Sequence, residues 1–183
     1  DPNGPADTSM MGIVHSALLR DLQRVRGALE TAPFPQGRRR TALAAHLAWM
    51  MTFLHAHHST EDAGLYPMIR LKNPASAELL DAMDADHKAI DPAIAALRAA
   101  THRWGPNGAD VDRAALVTAL DELLAVLTGH LDREEAEAMP VVSATITHRE
   151  WHEWDQTYNI KPKSLPVLAE EGLWLMEDLD EPR

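Results

Sequence analysis

One pattern constrains this 183-residue chain more than any other: a set of histidines, glutamates and prolines that occurs twice. His15 is followed 42 positions later by His57, which opens His57-x-x-x-Glu61 and runs on to Pro67. His87 is followed 43 positions later by His130, which opens His130-x-x-x-Glu134 and runs on to Pro140. In each copy the proline falls ten residues after the second histidine. A histidine and a glutamate at i and i+4 stand on one side of a helix, one turn apart. Two such helices, each paired with another carrying one more histidine, offer four imidazoles and two carboxylates. That is a ligand set for two metal ions. A lone histidine on a helix is usually a surface or satisfied core residue, but repetition of the same residue types at matching spacings is not explained that way.

Composition narrows the chemistry. With 45% apolar residues the chain has enough for a core, and its alanine- and leucine-rich make-up favours helix. Cysteine is absent, so disulfides and thiolate sites are excluded and a metal must be held by nitrogen and oxygen. The formal charge of −11 gives no footprint for nucleic acid or anionic lipid. No apolar run approaches ~20 residues, and a cytoplasmic protein is expected. Residues 1–9 read as a disordered leader.

Helical spacing predicts four amphipathic helices. The first begins near Met10 behind Asp7, Thr8 or Ser9 and carries Leu18, Leu22, Val25 and Leu29 on one face. Pro33, Pro35 and Gly37 break it, and the second runs from Gly37 to about Met68. After Asn73-Pro74, the third carries Leu80, Met83, His87, Ile90, Ile94 and Leu97, with Pro92 expected to bend it. Gly105-Pro106-Asn107-Gly108 reads as a loop, and the fourth helix follows through Leu116, Leu120, Leu123, Leu127, His130 and Glu134. Short connections make an all-α, up-down-up-down four-helix bundle the simplest fold over 10–140. Residues 141–183 read as a helical C-terminal extension, with Trp151, Trp154 and a short helix from Leu165 to Leu179, that packs on the bundle or serves a protein partner or dimer contact.

In antiparallel hairpins His15 meets the level of His57 and Glu61, and His87 meets that of His130 and Glu134. All six groups then converge at one end, with each glutamate able to bridge two ions and room left for an oxo or hydroxo bridge and an open position. The residues around them resemble the hemerythrin-like family, also called the HHE cation-binding domain. The stretch His57-His58-Ser59-Thr60-Glu61-Asp62-Ala63-Gly64-Leu65-Tyr66-Pro67 is similar to its second-helix signature, and His130-Leu131-Asp132-Arg133-Glu134-Glu135 with Pro140 to its fourth. The resemblance covers roughly residues 10–140. It implies a non-haem centre of two iron ions, with manganese or zinc as substitutes, held by His15, His57, Glu61, His87, His130 and Glu134. Oxygen-carrying members have a second histidine one turn on in the third helix, where this chain has Asp91, and an aspartate five residues after the fourth-helix histidine. The site therefore resembles a bacterial subgroup with one histidine fewer, for which reaction with O2, peroxide or NO is expected over reversible oxygen carriage.

The remaining candidates are weaker. His46 is positioned to orient a ligand or to pack in the core or hairpin, Asp62 and Glu135 to orient ligands or to face solvent, and His58, about 100° round the helix from His57, reads as a surface residue. His148-Arg149-Glu150-Trp151-His152 imitates a zinc-protease helix but places its glutamate one position late. Two other functions stay open: a di-iron oxidase acting on an organic substrate, and a non-catalytic iron- or oxygen-sensing module. If the protein is an enzyme, it is a di-iron oxidoreductase consuming O2 or peroxide, with no catalytic group beyond the metal ligands and a small-molecule oxidant as partner.

Overall fold

A carboxylate of Asp7 accepting the Ser9 N–H at 3.0 Å starts the first helix, α1 (Ser9–Glu30). In this computed structural model, which describes residues 1–177, the chain continues through α2 (Gly37–Thr60), a π-helical turn π1 (Glu61–Leu65) and α3 (Tyr66–Lys72). A 3-10 turn (Pro74–Ser76) leads into α4 (Ala77–Asn107), then α5 (Asp110–Arg133), a second π turn π2 (Glu134–Ala138) and α6 (Met139–Thr145). The extension holds α7 (His148–Asp155), a third π turn (Gln156–Ile160) and α8 (Leu165–Met176). The chain is an all-α helical bundle with a C-terminal helical extension. Leu179, expected in the last helix, lies outside the described residues.

The structure divides into two compact units, one formed by 18–56 and 84–131, the other, among the described residues, by 1–17, 57–83 and 132–177. In the first, Leu18, Leu22, Val25 and Leu29 of α1, Leu47, Met50 and Leu54 of α2, Ile90, Ile94 and Leu97 of α4, and Leu116, Leu120, Leu123 and Leu127 of α5 are all buried. These are the three- and four-residue stripes of the sequence, each side chain contributing about 1.5–3 kcal/mol on burial. The expected loop at 105–108 is shorter than its composition suggests. α4 continues through Pro92 and Pro106 and stops only at Gly108, whose φ of 64° suits glycine. The continuous run Asp110–Thr145 is long and apolar enough to cross a membrane by composition alone, which the sequence reading did not expect. Its buried face holds Leu116, Leu120, Leu123 and Leu127 together with His130 and Glu134.

The second unit contains π1 and π2, and they explain the prolines of the repeat. In each the glutamate comes first, and its carbonyl accepts the N–H five residues on, from Tyr66 in π1 and from Met139 in π2. The next residue is Pro67 or Pro140, which has no N–H and whose ring would strike the carbonyl four residues back in an α-helix. Widening the helix by one residue removes that clash. The buried pattern after each turn is the same: Glu61, Leu65, Tyr66 and Ile69 in one copy, Glu134, Ala138, Met139 and Val142 in the other.

The extension packs on this widened segment. Trp151 and Trp154 join a buried cluster with Leu65, Tyr66, Ile69, Met139 and Val142. The Trp154 indole N–H donates to the Thr60 carbonyl at 3.2 Å, and the Tyr158 hydroxyl donates to the Ala63 carbonyl at 3.4 Å. Ala63 is four residues before Pro67, so its carbonyl is the one an α-helix would have offered to the missing N–H. Residues 1–8 differ from the disorder expected of them. Ala6 is buried, its N–H donates to the Ile146 carbonyl, and the N–H groups of His148 and Arg149 donate to Gly4 and Pro2.

Gly64 lies under the aromatic pair, where an added Cβ would come 2.5 Å from the Tyr158 ring and 2.8 Å from Trp154. Gly64→Ala is expected to lower stability by about 1–3 kcal/mol. Gly27→Ala, in the last turn of α1 with nothing within 4 Å of the new Cβ, should raise it by about 0.5–1 kcal/mol. Urea unfolding of the two variants checks both, and equal effects would show that the aromatic contact is not tight.

Candidate metal centre

In the unit that holds the π turns, α1 delivers His15, the end of α2 delivers His57 and His58, and π1 and π2 begin with Glu61 and Glu134. His57 Nε2 lies 3.2 Å from Glu61 Oε1, the pairing that an i and i+4 spacing predicts. His15 Nε2 lies 3.4 Å from both His57 Nε2 and Glu134 Oε2. Two ligands on one ion at bond lengths of about 2.0–2.2 Å stand roughly 3–3.5 Å apart. The spacing of this nitrogen–oxygen set therefore fits a common cation. The ligand atoms of His15, His57 and Glu134 lie within 4.8 Å of one another, as do those of His57, His58 and Glu61.

Glu135 sets the direction of the first imidazole. Its Oε1 is 2.8 Å from His15 Nδ1, so the Nδ1–H donates outward and the Nε2 lone pair faces Glu134 and His57. Glu135 is about half exposed, so its charge is placed cheaply. The carboxylates within are not. Glu61 and Glu134 are fully buried. Burial pushes the Glu61 carboxyl well above its ordinary range, with Glu134 and Asp62 adding to the shift. Burial raises Glu134 to about 7, against the opposing hydrogen bond from Tyr66. Burial also lowers the pKa of His15, outweighing the neighbouring Glu135, and keeps the ring neutral as a ligand requires.

The other unit contains the remaining pair of the repeat. His87 of α4 and His130 of α5 are buried, their rings 4.7 Å apart and nearly perpendicular. Asp86 Oδ2 stands 3.6 Å from His130 Nδ1. In the same unit His46 bonds to the buried Asp21 at 2.8 Å and stacks on Trp49, a packing role. Asp91 is exposed and faces His55 at 3.3 Å, a surface pair.

His58 corrects the sequence reading. It is buried, not at the surface, and its ligand atom joins those of His57 and Glu61. A helical wheel drawn with one uniform stripe through His57 and Glu61 put it outside, whereas burial here spans a wider arc of the helix. The signal was the adjacent pair His57-His58 itself, since the second copy has Leu131, an equally buried residue, at the matching position. The imitation zinc motif is ordinary structure: Glu150 closes a capping box with Thr147 and pairs with Lys72, while His148 and His152 are exposed.

Two predictions follow from these contacts. Glu135→Ala should weaken metal retention by roughly 10–100-fold through loss of the His15 orientation, measured by chelator competition; wild-type retention would exclude that role. In the metal-free protein, the raised Glu134 pKa gives stability that is full below 4.5 and lost as pH rises through about 7. His15 acts oppositely, its contribution being lost as pH falls through its ordinary value of 6.5. Glu134→Gln should therefore remove a loss of stability between pH 4.5 and 7 that the unaltered metal-free protein shows in urea unfolding. An unchanged profile would assign the dependence to other groups.

Comparison with known proteins places the chain in a family. The model of the hemerythrin HHE cation binding domain matches residues 8–142. No curated protein and no solved structure matched significantly. That match takes in both copies of the repeat and most of the chain: the protein belongs to the hemerythrin HHE cation-binding domain family.

Proposed function

We propose that this chain is a non-haem di-iron protein that binds and reacts with a small oxidant, O2, peroxide or NO. The observation that carries the proposal is the cluster of His15, His57, Glu61 and Glu134, at ligand-to-ligand spacings of 3.2–3.4 Å around two fully buried carboxylates. The proposal includes His87 and His130, the matching histidines of the repeat, as ligands, and His58 as a further imidazole donor. Bound reduced iron would supply electrons and an open coordination position for the oxidant.

The protein's own part is to hold, orient and dry the site. Burial keeps His15 neutral, and Glu135 fixes which of its nitrogens faces inward. A dication would favour the charged forms of Glu61 and Glu134 that burial opposes. Leu65, Tyr66, Met83 and Ala138 are buried in the same unit and limit the approach of bulk water. The proposal includes a cytoplasmic setting. The net charge of −11 argues against nucleic acid and anionic lipid as partners.

Metal analysis of protein produced with ample iron tests this reading. About two irons per chain are expected, with a ferric charge-transfer band that disappears on reduction and returns with air or peroxide. His57→Ala and His130→Ala should each lower the iron content. A folded protein with no bound metal, or with zinc alone after iron loading, would overturn the proposal.

A further inference from the structure

A constant offset of 73 residues relates His57, Glu61, Leu65, Pro67 and Ile69 to His130, Glu134, Ala138, Pro140 and Val142. The offset carries backbone geometry as well, since both copies widen into a π turn at the glutamate. Chemistry departs from it at the residue before the proline. The first copy has Tyr66 there, and the second has Met139, whose side chain has no hydrogen to donate.

Tyr66 is 1% exposed, and its hydroxyl donates to Glu134 Oε1 at 2.8 Å. Its backbone N–H closes π1 on the carbonyl of Glu61. One residue thus holds the main chain of the first glutamate and the carboxylate of the second. With Oε1 engaged by the phenol, Oε2 is the oxygen of Glu134 that stands 3.4 Å from His15 Nε2. Met139 cannot return the same bond to Glu61. Two copies that match in the sequence therefore differ in the side-chain hydrogen bond this position can supply.

Resting on the di-iron reading above, we propose that Tyr66 is a positioning residue that holds Glu134 Oε1, presents Oε2 to the cation beside His15 and His57, and makes the two metal positions unequal. Tyr66→Phe removes one oxygen and keeps the packing ring. Zinc, which is redox-silent, is the probe, titrated against a competing chelator into the full chain. The unaltered protein should take up zinc in two steps of different affinity. In Tyr66→Phe one step should weaken by roughly 10–100-fold while the other stays in place, with the metal-free melting temperature close to that of the unaltered protein.

A second readout does not need the variant to fold. The chain has two tyrosines, so the Tyr66 signal in tyrosine-labelled protein can be assigned by NMR with Tyr158→Phe. Zinc loading should shift the Tyr66 ring and hydroxyl resonances as Glu134 becomes a ligand. Two zinc ions bound by Tyr66→Phe with unaltered affinities, or a Tyr66 signal indifferent to zinc, would overturn the positioning role while leaving the metal centre standing. No zinc or iron uptake by the unaltered protein would remove the metal reading and this proposal with it.

Discussion

Two carboxyl groups with no access to water are the constraint on which the rest of this structure depends. An uncompensated charge in such a place costs several kcal/mol, more than one well-buried leucine contributes. Glu61 and Glu134 therefore demand an answer from their surroundings, and the surroundings are built as one. Imidazole nitrogens stand at ligand distance, a phenol donates to one oxygen, and a half-exposed carboxylate turns an imidazole toward the interior. The protein keeps its own countercharge outside, on Glu135, and leaves the interior arranged for a cation. Metal binding and folding stability are then coupled through the same two groups.

The backbone makes this possible through its least common helical form. A π turn wastes hydrogen-bond geometry and is rare, and it survives where something prevents relaxation to an α-helix. Here the prevention is covalent, a proline immediately after the turn in each copy. The extension contributes in the first copy, where Trp154 and Tyr158 take backbone carbonyls at the edge of and within the widened segment. In this way the C-terminal aromatics act on the main chain that carries Glu61, and not on its carboxylate.

Much of this was legible in the sequence because duplication leaves a numerical trace. Histidine and glutamate at i and i+4 had to share a side, and the apolar stripes of α1, α2, α4 and α5 fixed which side was interior. The trailing prolines were visible too, but their meaning was not, since periodicity assumes 3.6 residues per turn and cannot register one extra residue. His58 was misplaced because one uniform stripe was extended over a helix that buries a wider arc. Tyr66 was passed over as part of a family signature. Its role is a contact between residues 68 positions apart in the chain, which no local spacing encodes. The N-terminal residues looked featureless because their partners, at 146–149, are backbone atoms.

Each π turn also has a consequence for the phase of everything after it. One extra residue in a helix rotates the following segment by about 100° relative to what precedes it. Tyr66 and Met139 fall off the α-helical stripe that runs through Glu61 and Leu65 or Glu134 and Ala138, and that rotation turns them toward the interior where they are buried. The ligands upstream and the core downstream are thus written in two different frames, joined at the glutamate. A chain of this kind tolerates exchange of side chains more readily than a change of length at that junction, because a deletion there keeps the side chains on either side but turns half a helix to another side.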